Sequence, residues 1–251
     1  MNIQEHKPQA SQRSIPRDRA STFRLRKSPD FFRAWSRNER HCLASPQSQL
    51  LKRAIDIIFV ATAFVLLLPL LIVIAVAVVA SSPGDVIFRQ PRVGRNGVPF
   101  SMWKFRTMRH NAEQALDDIL SQHPELRIQW NQHRKLPNDP RVIPWVGHLL
   151  RRTSLDELPQ LWNVLKGEMS IVGPRPLPPY HLADFDAHFL DRRMKVTPGI
   201  TGLWQIHGRG NGHPDMFVKW DNHYIDNWSL WLDFKILAQT PSAVVRGSGA
   251  S

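Results

Sequence analysis

IIFVATAFVLLLPLLIVIAVAVVA, residues 57–80, is the stretch on which the fold turns. It is uncharged and almost wholly apolar. A helix needs about 20 apolar residues to match a bilayer core, so this is a membrane segment. It is too long for a signal-peptide core and starts too late in the chain. Pro69 falls at its middle, and proline removes a backbone donor and kinks a helix. Lys52 and Arg53 precede the run, and Arg89, Arg92 and Arg95 follow it. Positive charge is retained on the cytoplasmic side, and here both flanks are positive. A helix that enters, bends at Pro69 and returns satisfies both flanks, whereas a straight span puts one of them outside. The residues alone leave both arrangements open.

Upstream, residues 1–50 carry ten Lys or Arg against four Asp or Glu, half of the net charge of +12. Ser and Pro are scattered through them without periodicity. This reads as a basic, largely disordered tail with short order around Phe31, Phe32 and Trp35. A transit peptide is also basic and Ser-rich, but its removal would leave a membrane anchor at the new terminus. The charge requires an acidic partner: nucleic acid, anionic lipid or a phosphorylated substrate. Nucleic-acid binding fits the charge but not the apolar run. Cys42 is the only cysteine, so no intramolecular disulfide exists. Nothing points to an oxidising compartment, and zinc-type Cys and His spacings are absent.

Downstream, residues 86–106 read as a β-hairpin. Val86–Gln90 and Phe100–Phe105 are apolar-rich runs, and Gly94-Arg95-Asn96-Gly97 between them forms a turn with an Asn-Gly step. Residues 112–135 read as an amphipathic, exposed helix. Pro137, Asp139-Pro140 and Pro144 mark a loop. Residues 156–166 form a short helix closed by Gly167, and Met169–Val172 a short strand. Helical patterns return at 180–195, 214–226 and 229–245.

The chemistry concentrates in Arg151-Arg152-Thr153-Ser154-Leu155-Asp156-Glu157-Leu158-Pro159-Gln160-Leu161. Ser154 and Glu157 fit a capping box, which explains both without any function. Pro159 argues against that register, because it would fall past the first turn. With Asp156 as the cap, Pro159 lies in the first turn, where its missing N–H costs nothing. In either register Asp156 and Glu157 sit at the positive end of a helix beside Arg151 and Arg152, and such an end can hold a phosphate. Two acids beside two arginines suit phosphoryl transfer. One carboxylate attacks phosphorus, the other holds a divalent cation, and the arginines neutralise phosphate oxygens. On the pattern alone, the structural and the chemical readings stand level.

Gly173-Pro174-Arg175-Pro176 is a stiff turn that presents one guanidinium, a fork suited to phosphate; on the residues alone an ordinary surface turn with an incidental charge is the favoured explanation. Pro198-Gly199-Ile200-Thr201-Gly202, followed by Trp204-Gln205-Ile206-His207-Gly208-Arg209, reads as a glycine-punctuated loop whose backbone can approach a ligand closely. In Trp103-Lys104-Phe105-Arg106, alternation puts Lys104 and Arg106 on one strand face and the aromatics on the other. Trp204, Trp220, Trp228 and Trp231 crowd the C-terminal part, which suits a membrane interface or core packing.

The combination is specific. Lys52-Arg53-Ala54-Ile55-Asp56 precedes the proline-broken run. Lys104-Phe105-Arg106-Thr107-Met108, the stretch from Leu155 to Ser170, Val172-Gly173-Pro174-Arg175-Pro176 and Pro198-Gly199-Ile200-Thr201-Gly202 follow in order. Over about residues 50–245 the chain resembles the bacterial sugar transferase family, the monotopic phosphoglycosyl transferases.

The resemblance implies an α+β, mostly helical fold. A basic tail covers 1–50, a re-entrant membrane helix 51–82 bends at Pro69, and a catalytic domain covers 83–251, with interfacial amphipathic helices and a small β-hairpin around a compact core. It also implies the chemistry. Asp156 attacks a UDP-sugar and releases UMP, and undecaprenyl phosphate takes the phosphosugar from the aspartate. Asp156 and Glu157 are the catalytic pair and the Mg2+ site. Lys104, Arg106, Arg151 and Arg175 bind substrate phosphates. Thr197 departs from a position that is often basic in the family. The chain is similar to short exopolysaccharide-type members, whose usual cargo is galactose or glucose phosphate. An N-acetylated amino sugar for glycoprotein or lipopolysaccharide is the alternative cargo, and a non-catalytic basic membrane scaffold is the alternative of another class. The expected location is the bacterial cytoplasmic membrane, with the catalytic part on the cytoplasmic face. Membrane lipid is an expected partner, nucleic acid is not, and a homodimer is the one assembly considered.

Overall fold

The structure, a computed structural model, describes residues 45–133, 136, 139–208 and 214–245. The readings for residues 1–44, Pro137 and Arg209 lie outside the described residues.

Helix α1, Pro46–Ser81, runs 36 residues with Pro69 inside it. Ser45 caps its start by accepting the Ser48 N–H, and a proline occupies the first turn. The helix therefore begins earlier than residue 51. Among the described residues it is the one helix long and apolar enough to cross a membrane. Val65 and Leu66 near its middle are 74% and 73% exposed. Leaving such a side chain in water forfeits roughly 1.5–3 kcal/mol of burial, so a long row of them calls for lipid.

The other stripe of α1 packs on the body along the helix, through Ala63, Phe64 and Leu67 before Pro69 and Leu71 and Ala75 after it, and is tied down at both ends. Lys52 pairs with Asp233 at 2.6 Å and donates to the Val172 carbonyl. Arg53 donates to the carbonyls of Val164 and Leu165. Asp56 accepts the Ile171 N–H, and Val60 enters the main core. At the far end Ile74 and Val78 pack with Phe105 and Leu150, and the Arg106 guanidinium donates to the Ser82 and Pro83 carbonyls. Lys52 and Arg53 are thus tied into the protein instead of standing as loose flank charges.

The hairpin forms as read. β1, Ile87–Val93, pairs antiparallel with β2, Pro99–Phe105, with Arg92 opposite Phe100 and Phe88 opposite Lys104. Asn96 and Gly97 take positive φ in the turn, the conformation an Asn-Gly step tolerates. The amphipathic stretch is two helices, α2 Ala112–Gln122 and α3 Pro124–His133, because Pro124 cannot continue the first. Next come α4, Val146–Thr153, and α5, Gln160–Lys166, closed by Gly167 at φ 82°. β3, Ser170–Val172, leads to α6, Ala187–Met194. β4, Gly199–Thr201, pairs parallel with β3, and α7, Leu203–His207, α8, Pro214–Asn227, and α9, Leu230–Val245, complete the chain.

Two sequence readings are corrected. The expected glycine-punctuated ligand loop contains β4. A Cβ on Gly199 would lie 2.1 Å from the Gly173 nitrogen, and one on Gly202 2.2 Å from the Gly173 oxygen. These glycines let two backbones meet; they do not open a path to a ligand. The capping registers at 154–159 also fail. Ser154 takes a left-handed conformation (φ 58°) and caps nothing with its side chain, and Leu155–Glu157 form a 3-10 turn. Pro159 is the N-cap of α5, so Asp156 and Glu157 precede that helix by a turn.

Candidate active site

The 3-10 turn at Leu155–Glu157 is fixed from both sides. On the α5 side, Asn163 is fully buried. Its amide donates to the Ser101 carbonyl and to Glu168, and its oxygen accepts the Trp103 N–H at 3.0 Å. This stitches α5 to β2 next to Lys104. On the α4 side, Arg151 Nε donates to Thr107 Oγ1 at 3.0 Å. The two strand-end motifs are thereby brought against the acidic turn.

Lys104 Nζ lies 2.6 Å from Glu157 Oε1 and 3.8 Å from Asp156 Oδ2. Arg175 Nη2 approaches the same Glu157 oxygen at 3.3 Å, and its guanidinium lies 5.9 Å from the Trp204 ring centre. Asp156 is 9% exposed. Burial pushes its carboxyl above the ordinary value of 3.8 and Glu157 adds to this, against the pull of Lys104, Arg151 and Arg175. Of the residues singled out in the sequence, Asp156, Glu157, Lys104, Arg151 and Arg175 come together. Arg106 does not join them. It lies past the end of β2, and its guanidinium holds the last carbonyls at the exit of α1, Ser82 and Pro83. Pro69 lies within α1.

The Pro-Arg-Pro turn is held along its whole backbone. Lys52 donates to the Val172 carbonyl, and the Gly173 N–H donates to Thr201 at 2.9 Å. The Pro174 carbonyl accepts the Gly199 N–H at 2.9 Å, and the Arg175 carbonyl accepts Arg193 Nη2. The Pro176 carbonyl accepts Arg92 Nη1, and the Leu177 carbonyl accepts the Val93 N–H. Arg193 is in turn paired with buried Asp221 at 2.7 Å. The backbone that carries the Arg175 side chain is therefore fixed on both sides.

Sequence reasoning missed Asn163, Arg193, Asp221 and Arg92 as parts of this site. Only Arg92 left a local signal. Alternation across the hairpin puts it on the same sheet face as Lys104. It is buried, and burial, followed by the charge of Arg175, pushes it down to about 10.

Two carboxylates in one turn, with Lys104, Arg151 and Arg175 around them, thus lie beside the apolar helix α1. The family described as Bacterial sugar transferase matches residues 47–247, and the chain belongs to it. An uncharacterized sugar transferase of Haemophilus influenzae is 44% identical over 208 residues, covering 83% of this chain and 44% of the relative. An undecaprenyl-phosphate galactose phosphotransferase of Salmonella typhimurium is 42% identical over 208 residues, covering 83% and 43%. The exopolysaccharide production protein ExoY of Sinorhizobium fredii is 40% identical over 205 residues, covering 82% and 90%. The chain thus spans less than half the length of the first two relatives and most of the third.

Proposed function

We propose that this chain moves a sugar 1-phosphate, galactose or glucose phosphate, from a UDP-sugar to undecaprenyl phosphate as the first membrane step of exopolysaccharide synthesis. The observation that carries the reading is the Asp156–Glu157 pair converging on Lys104 beside Arg151 and Arg175. Asp156 attacks the sugar-bearing phosphorus. The bond from that phosphorus to the bridging oxygen breaks, and UMP leaves with the electron pair. An oxygen of the lipid phosphate then attacks the same phosphorus, the aspartyl bond breaks, and the carboxylate returns. Arg151 and Arg175 neutralise the phosphate oxygens, and Lys104 holds Glu157 in place.

Mg2+ is implied by the family. Two carboxylates that already converge on one ammonium group fit a cation, and Mg2+ is commonly held by one or two carboxylates plus substrate phosphates. Asp156 and Glu157 would hold it, and it would supply charge neutralisation on the transferring group. Membrane-extracted protein given a panel of UDP-sugars, Mg2+ and polyprenyl phosphate is expected to release UMP from UDP-galactose or UDP-glucose, and excess chelator to stop it. Release from an N-acetylated donor alone would replace the cargo, release from none would defeat the transferase reading, and release unchanged in chelator would exclude the metal.

We also infer that α1 re-enters the membrane, with the body on the cytoplasmic face. A straight helix of 36 residues would be about 54 Å long, against a hydrocarbon core of about 30 Å. One folded body grips α1 at Lys52–Asp56 and again at Ser82–Pro83, which supports both ends lying on one side. Trp145 at the start of α4, 89% exposed, and the stacked Trp231 and Phe234 on α9 suit the lipid interface. Reporter tags at residue 50 and at the C-terminus should both prove cytoplasmic, and opposite sidedness would rule out re-entry. Pro69→Ala is expected to straighten α1 and move the tags apart.

A further inference from the structure

We propose that Arg92 is a phosphate-binding residue of this site, forming with Arg175 a two-guanidinium clamp on one phosphate group. The inference rests on the phosphosugar-transfer reading above and adds a residue to it. Arg92 is 9% exposed, and its Nε is buried with no hydrogen-bond partner. The rest of the guanidinium reaches only neutral acceptors, Gln90 Oε1 at 2.6 Å and the Pro176 carbonyl at 3.3 Å. Among the described residues no carboxylate lies within ion-pair distance of it. A buried charge without a counter-charge is costly, and natural structures keep one where a ligand supplies the other sign.

The surroundings say what that ligand is. Arg92 shares a sheet face with Lys104 and feels the charges of Arg175 and Glu157. Arg92, Arg175, Lys104 and Arg151 are four cations around two carboxylates, Asp156 and Glu157. The surplus of positive charge suits a phosphate group. A guanidinium is a fork shaped for tetrahedral phosphate oxygens. The other buried arginines are better satisfied: Arg193 has Asp221, and Arg106 has the Ser82 and Pro83 carbonyls and the Ser82 hydroxyl, whereas Arg92 has one side-chain amide oxygen and one carbonyl at 3.3 Å. The phosphate can belong to the sugar-nucleotide donor or to the lipid acceptor, both of which pass through the site.

The test uses the full chain with Arg92→Met, which removes the charge, and Arg92→Lys, which keeps the charge but not the fork. The first readout is the melting temperature with and without inorganic pyrophosphate. Both variants are expected to fold, with Arg92→Met melting no lower than the parent, and both should lose most of the upshift that pyrophosphate gives the parent. The second readout is kinetic, with UDP-galactose alone and then with undecaprenyl phosphate. A donor KM raised about tenfold or more assigns the phosphate to the donor. An unchanged UMP burst with transfer to lipid slowed by a similar factor assigns it to the acceptor. Either supports the clamp. An Arg92→Met protein that melts lower than the parent, keeps the pyrophosphate upshift and shows unchanged kinetic constants overturns it and makes Arg92 a structural prop. If the parent releases UMP from no donor, the transfer reading fails, and the pyrophosphate shift alone decides for or against Arg92.

Discussion

Asp156→Asn is expected to abolish sugar-phosphate transfer while leaving the protein at least as stable as the parent. The amide keeps the size of the carboxyl but cannot attack phosphorus, and loss of a nucleophile costs on the order of 10⁴-fold or more in rate. The stability expectation follows from burial. Desolvation, helped by Glu157, raises the folded carboxyl above 3.8 despite Lys104, Arg151 and Arg175. Such a group contributes stability below its unfolded value and loses it as pH rises through the higher folded value. At neutral pH the ionised side chain is therefore a burden that asparagine relieves. The gap in melting temperature between variant and parent should widen in the variant's favour as pH rises from about 4. Activity of the parent should fall, on acidification, at a pH above that of an ordinary aspartate. A variant that melts well below the parent at neutral pH would show that the charge holds the fold together.

Asp221→Leu is expected to destabilise the body by about 3–5 kcal/mol and to cut transfer, although Asp221 is given no part in the chemistry. It leaves Arg193 buried with no carboxylate, and arginine cannot shed its charge. Arg193 also donates to the Arg175 carbonyl, so its displacement loosens the phosphate-facing turn. The double variant Asp221→Leu with Arg193→Met separates the two effects. Removing both charges should return much of the melting temperature, while the Arg175 carbonyl still lacks its donor and donor KM stays raised. Full recovery of both quantities would mean that the pair matters only for stability.

The parts legible in the sequence are those set by neighbours along the chain. The hairpin follows from two apolar-rich runs on either side of an Asn-Gly step, and Gly167 ends its helix in the left-handed conformation. The acidic turn with its flanking arginines was legible as a candidate, but not its geometry. Pro159 and the left-handed Ser154 force a 3-10 turn where helical spacing suggested a cap. What was not legible depends on partners distant in sequence. β4 is a strand only because Ser170 and Val172 pair with Gly199 and Thr201, and its glycines serve that backbone contact. Asn163, Arg193 and Asp221 look like ordinary polar residues until β2 and the Pro-Arg-Pro turn are laid against them. Arg106 misleads for the opposite reason. Alternation puts it beside Lys104, but the strand ends at Phe105 and the side chain turns to the exit of α1.

The central claim is that Asp156 carries the phosphosugar between donor and lipid, and one measurement addresses it directly. Purified protein is mixed with UDP-sugar and Mg2+ in the absence of any lipid acceptor, UMP is followed in the first turnover, and the quenched protein is weighed intact. The account predicts a burst of one UMP per active site and a mass increase of one phosphosugar that maps to Asp156 and disappears when undecaprenyl phosphate is added. Protein that is active once lipid is present, yet shows neither burst nor adduct before it, would mean direct transfer between the two substrates and would contradict the account.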